Sequence, residues 1–173
     1  MTDIIFEYKE LLAQKLEIEQ KLSVLPKGYI SKKTIGGKQY LYLQTRNGDT
    51  VESKYIKAEE AQDITNQLSL RKEYEAELPD ILIRLADIET AAELLDKALL
   101  RKLKMLKLTS GMDSISADEK EKRISFSDAM TSIEGVPVSA KVKTDLANWK
   151  KGNMTFLSVF EQTLRRYGFV TEV

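Results

Sequence analysis

The sequence predicts a mainly α protein with a small antiparallel β meander, an α+β arrangement in which a long helical hairpin or coiled-coil stalk is followed by a small helical bundle. Three observations predict it. Apolar residues recur at largely seven-residue spacing through residues 4–25 and 78–106. Between Pro26 and Ile56 that period gives way to two-residue alternation punctuated by Gly36-Gly37 and Asn47-Gly48. After Thr109 the apolar residues fall into short groups bounded by capping residues and glycines. The expected organisation is a stalk over 1–108 with a three-stranded element inserted at 28–56, then a bundle over 109–173.

The first helix is expected from about Thr2 to Leu25. Ile4, Leu11, Ile18 and Leu25 lie seven apart, with Tyr8 and Leu22 at the intervening positions and Lys15 interrupting that second row. Thr2 or Asp3 suits the N-cap, and Glu7 and Glu10 lie near the helix's positive end. Pro26 stops the helix because its ring excludes helical geometry at the preceding residue. The stripe fits either one core-facing helix or a short coiled coil.

Three strands are expected next, at Tyr29 to Thr34, Lys38 to Thr45 and Thr50 to Ile56, joined by the two glycine-containing turns. Tyr40, Tyr42 and Gln44 share one face of the middle strand, and Leu41 and Leu43 the other. The leucines are expected to pack on the helices, leaving the tyrosines outward. Residues 27–57 hold seven basic side chains against two acidic, a local charge of +5 in a chain whose net charge is zero.

From Lys57 to Lys107 the pattern is helical again, with Leu78, Leu85, Ala92, Leu99 and Leu106 seven apart and Leu82, Ile88, Leu95 and Leu103 in support. Pro79 is expected to kink this segment or to start a second helix, which then runs unbroken from Leu78 to Leu108. Thr109-Ser110-Gly111 ends it. Ser116 with Glu119 forms a capping box for a short charged helix, and ISFSDAMTSIEG reads as a further short helix stopped by Gly135. Ser139 caps a helix presenting Val142, Leu146 and Trp149. A last helix presents Phe156, Phe160, Leu164 and Tyr167, with Trp149 and Phe160 expected at the centre of the core.

Composition removes whole classes of chemistry. There is no cysteine and no histidine, so thiol nucleophiles, disulfides, zinc-thiolate sites, histidine bases and histidine-ligated metals are excluded. The carboxylates of Glu59, Glu60 and Asp63, or of Glu73, Glu75 and Glu77, fit a solvated helix face. Ser69-Leu-Arg-Lys72 has the form S-x-x-K without the other elements of that enzyme class. The reading is a non-enzymatic protein with no cofactor and no metal. MTDIIFEYKELL lacks the basic start of a secretion signal, and no apolar run approaches the roughly 18–20 residues of a spanning helix. The expectation is therefore cytoplasmic, with no membrane partner.

At the carboxyl end, FSDAMTSIEGVPVSAKVKTDLANWKKGNMTFLSVFEQTLRRYG resembles the small three-helix VbhA-type antitoxins. That resemblance implies a bacterial toxin-antitoxin role in which Ser132, Ile133, Glu134 and Gly135 meet a protein partner, a toxin encoded nearby. In the family a Ser or Thr stands four residues before the glutamate, which engages an arginine that orients ATP phosphates in a Fic toxin. Here that position is Met130. Independently of the family, a carboxylate beside a helix-ending glycine projects well towards an incoming guanidinium. The amino-terminal part resembles uncharacterised proteins of Gram-positive bacteria, which implies no function.

Two functional readings result, with a third beside them. The first is an antitoxin-like or adaptor protein that binds a protein partner through its carboxyl-terminal helices. The second is a nucleic-acid-binding module using Lys32, Lys33, Lys38, Tyr40, Tyr42 and Arg46, in which rings stack on bases and cations meet phosphate. The third is a structural coiled-coil dimer that self-associates through its heptad helices.

Overall fold

The computed structural model describes residues 3–169. Among them the chain is mainly α with one three-stranded antiparallel sheet, in the order α1 (Ile4–Val24), β1 (Tyr29–Ile35), β2 (Lys38–Asn47), β3 (Thr50–Ile56), α2 (Ala61–Leu95), α3 (Lys97–Thr109), α4 (Ala117–Ile133), α5 (Ala140–Lys150) and α6 (Phe156–Arg166). By packing, the chain forms two units, Gln14–Arg84 and Met1–Ala13 with Leu85–Val173. This division falls inside α1 and α2. No helix among the described residues is long and apolar enough to cross a membrane.

The sheet is a meander, β1-β2-β3. Ile35 pairs with Lys38 and Asn47 with Thr50, so Gly36-Gly37 and Gly48-Asp49 form the two-residue turns and Asn47 belongs to β2. In the same unit, Arg71 of α2 donates from Nη1 to the carbonyls of Leu22 and Leu25 at 2.8 and 3.0 Å. It also pairs through Nε with Glu75 at 2.7 Å. These contacts satisfy carbonyls that the end of α1 leaves without intrahelical donors. On α1 the buried residues are Tyr8, Leu12 and Ile18, whereas Ile4 is 37% exposed. A straight helix drifts by about 20° per heptad, so the buried stripe leaves the seven-residue row. Asp3 accepts from the Ile5 amide; Thr2, the other expected cap, lies outside the described residues.

In the long helical segment the restart, one of the two alternatives at Pro79, does not occur, and one expectation is corrected. α2 runs through Pro79 without a restart. The proline is exposed, so the carbonyl it deprives of a donor lies on the water side, and burial of Ile81, Leu85, Ile88 and Ala92 offsets the roughly 3 kcal/mol cost. The expected helix from Leu78 to Leu108 is instead broken at Asp96. That residue is extended, at φ −154° and ψ 104°, and its carboxylate caps α3 by accepting from the Ala98 amide at 2.8 Å. Leu94 and Leu95, at 81% and 85% exposure, give the preceding turn no burial to hold it helical.

In the other unit, Tyr8 is fully buried and its hydroxyl donates to Glu89 Oε1 at 2.6 Å, which also receives Lys107 Nζ at 2.6 Å. One carboxylate thus joins α1, α2 and α3. Burial, followed by the bond to Glu89, raises the Tyr8 phenol well above its ordinary range. For Glu89, burial alone would raise the carboxyl, but the bonds from Lys107 and Tyr8 outweigh it and hold it below the usual range.

The helical bundle corrects the sequence reading twice more. The two short helices expected around residues 117–134 are the single helix α4, since nothing between Lys122 and Ile124 breaks it. Trp149 is at the centre of the core as expected, but with Val159 rather than Phe160, at 1% and 3% exposure. Phe156 packs against Trp149, the ring centroids 4.7 Å apart. Tyr167, expected on the inner row of α6, is 61% exposed because the helix ends at Arg166.

Replacing Glu89 by Gln should cost about 1 kcal/mol at neutral pH, the exposed half of the Lys107 contact being screened. Because the folded-state carboxyl is depressed, its contribution is complete above the ordinary glutamate value of about 4.3 and is lost as pH falls through the folded value. Urea unfolding of the wild type and Glu89→Gln should therefore differ at pH 7 and converge once the pH falls below the folded value. A gap that persists there would assign the effect to packing.

Candidate functional site

The sheet presents two unlike faces. The cross-strand register places Tyr29, Ser31, Lys33 and Ile35 of β1 on the same face as Lys38, Tyr40, Tyr42, Gln44 and Arg46 of β2 and Val51, Ser53 and Tyr55 of β3. The opposite face carries Ile30, Lys32, Leu41, Leu43 and Ile56, and Ile56 is only 2% exposed. There Ile30, Lys32 and Leu41 line a cleft of about 440 Å³ against Ala61, Thr65 and Leu68 of α2, and Tyr29, at the start of β1, also borders it. The outward face is open, with Tyr29 at 59% and Tyr55 at 52% exposure.

Of the six residues proposed for nucleic acid, five therefore share the outward face. Lys32 does not; it points to the cleft. Strand alternation makes this unavoidable, since adjacent residues on a strand point oppositely. The outward rings form a cluster. Tyr55 lies 5.8 Å from Tyr42 in an edge-on arrangement and 6.2 Å from Tyr40, tilted, and Lys33 Nζ sits 4.8 Å over the Tyr42 ring. Tyr29 and Tyr55 were missed by the sequence reading. The observed Gly48-Asp49 turn sets Tyr55 opposite Tyr42, whereas the expected Asn47-Gly48 turn would set it opposite Tyr40 on the same face.

Gly28 sets where this sheet starts. Its φ is +107°, and a Cβ there would lie 2.0 Å from the Gln44 carbonyl oxygen. The chain thus passes directly against β2 as it leaves α1, and Thr45 Oγ1 donates to the Lys27 carbonyl at 3.1 Å.

The second candidate surface is on α4. Phe126, Met130 and Ile133 are exposed at 70%, 42% and 80%, and at about 100° per residue they form one stripe. Bundle contacts leave from the other side of the helix. Lys120 is buried with Nζ 5.1 Å over the Trp149 ring, Asp128 pairs with Lys143 at 2.9 Å, and Glu121 pairs with Lys150 at 2.8 Å. The stripe runs into a closed turn in which the Glu134 amide donates to Met130, Gly135 to Ser132 and Val136 to Thr131. Gly135, at φ +76°, is the left-handed residue such a helix end requires. Ser132, Ile133, Glu134 and Gly135 are thus brought together and exposed. The hydroxyls of Thr131 and Ser132 are committed to the Ser127 and Asp128 carbonyls. Phe126 and Val136, 68% exposed, are additions to the predicted set; the spacing of Phe126 was legible, its exposure was not.

A family model described as Domain of unknown function (DUF6788) matches residues 8–66. The match runs from Tyr8 through the whole sheet into α2 and does not reach residues 126–168. No curated protein and no solved structure matches the chain.

Gly28→Ala should destabilise the sheet unit by more than about 2 kcal/mol, combining left-handed strain with the clash at Gln44. Hydrogen exchange should accelerate through Tyr29–Ile35 while α6 amides keep their protection. Unchanged exchange in β1 would show that the approach to Gln44 is not needed.

Proposed function

We propose that the chain is a non-enzymatic interaction protein that takes a protein partner along α4, in an antitoxin-like role. The observation that carries this reading is the exposed stripe of Phe126, Met130 and Ile133, continued by Val136 beyond the helix. Apolar residues at i, i+4 and i+7 on an unpartnered helix face are the anchors of helix-in-groove recognition. Burying a side chain of this size contributes about 1.5–3 kcal/mol.

Glu134 follows Met130 by one turn, and the closed turn fixes its backbone. An exposed carboxylate at this point supports a charge-assisted contact with a guanidinium on the partner. With Met130 where the VbhA-type antitoxins carry a hydroxyl, the apolar row supplies affinity and Glu134 supplies the specific polar contact. This division of labour separates binding from neutralisation of a toxin.

The test is co-purification of the tagged chain with the product of the adjacent gene at low and high salt. Capture should survive high salt because an apolar contact is not screened. Phe126→Ala and Ile133→Ala should each weaken the complex by roughly 30-fold, the size of a hot-spot loss of about 2 kcal/mol. Glu134→Ala should retain capture while losing protection against the partner's toxicity. Capture indifferent to Phe126 and Ile133 would overturn the assignment of the surface.

A further inference from the structure

The outward face of the sheet has a different chemistry, and we infer that it binds single-stranded nucleic acid. Four of the chain's seven tyrosines, Tyr29, Tyr40, Tyr42 and Tyr55, share it with Lys33, Lys38 and Arg46. No carboxylate lies on that face of the strands: Glu52 is on the opposite face and Asp49 is in a turn. Among the described residues none of the three cations is in an ion pair. Lys33 rests over Tyr42, and Arg46 spends only its Nε, on the Gly48 carbonyl at 3.2 Å.

A cationic face free of carboxylates attracts polyanions of every kind, and the rings select among them. An acidic peptide has no planar base to lay on the tyrosine rings. A duplex keeps its base faces inside its own stack. A single strand can lay phosphates on the cations and bases on the rings at once. Tyr40 and Tyr42 fill the middle of the face and brace Tyr55 at 6.2 and 5.8 Å, so its ring is held before any base arrives. Tyr29 and Tyr55 belong to opposite edge strands, two strand spacings or about 10 Å apart. A strand crossing from β1 to β3 passes over both.

The experiment is fluorescence anisotropy with a labelled DNA strand of roughly 20 nucleotides, longer than the 4–16 nucleotides of a typical site, beside the same sequence as duplex and polyglutamate as competitor. The single strand should bind best. Three phosphate contacts give a log–log salt slope of about −2, roughly a 20-fold loss between 50 and 200 mM. Tyr55→Ala and Tyr29→Ala should each weaken binding at least about fivefold, whereas Tyr55→Phe, which keeps the ring, should bind as the wild type. Lys33→Gln with Lys38→Gln and Arg46→Gln should flatten the salt slope; Lys32→Gln with Lys54→Gln, on the other face, should preserve a slope near that of the wild type. No binding at 50 mM, binding indifferent to Tyr29 and Tyr55, equal loss in the Lys32 and Lys54 variant, or displacement by polyglutamate as readily as by the unlabelled strand would overturn the inference.

Discussion

The sheet unit depends on one guanidinium. α1 must end before Pro26, and its last carbonyls would face a crowded, partly dry junction without donors. Arg71 supplies them from α2, bonding Leu22 and Leu25 while Glu75 holds its Nε, and its side chain is only 12% exposed. A planar, permanently charged donor is the suitable group, since it satisfies two carbonyls and a carboxylate in one plane. With the exit from α1 fixed in this way, Gly28 meets Gln44 and the strands begin in a single register. The identity of the outward face follows from that register, because a slip of one residue would exchange the two faces.

The bundle is organised by a comparable economy of polar groups. Asp113 Oδ1 accepts from Trp149 Nε1 and from the Phe156 amide, both at 2.8 Å, so one carboxylate in the turn after α3 positions the core tryptophan and the start of α6. Lys120 then lies over the same indole, which fixes the rotation of α4 about its axis. With Lys120, Glu121 and Asp128 turned to α5, Phe126, Met130 and Ile133 have nowhere to go but outward. The exposed stripe is thus a consequence of where the helix's polar residues find partners.

Much of this was legible in the sequence. The three strands, the Gly36-Gly37 turn, and the caps at Ser116 and Ser139 are local signals, decided within a few residues, and the structure has them. What was not legible is decided at a distance. Pro79 is a breaker by itself, yet burial of Ile81 and Leu85 carries the helix past it. Asp96 lies within the stretch expected as one helix from Leu78 to Leu108, and it ends α2 because Leu94 and Leu95 have nothing to pack on. For the candidate surfaces, strand alternation gave Tyr40 and Tyr42, but Tyr55 required the register between strands. The stripe on α4 required knowing which side of that helix the bundle uses.

The alternation of the sheet has a consequence for how such a chain can change over time. Residues that hold the sheet to α2 and residues that meet solvent occupy separate, interleaved positions of the same strands. Substitutions at the outward positions leave Leu41 and Ile56 undisturbed, so that face is free to acquire new chemistry one residue at a time. Insertions and deletions enjoy no such freedom within the strands, since losing a single residue from β2 would turn Tyr42 inward and Leu41 outward. Related chains should therefore keep the length of these strands while the residues on their outward face diverge.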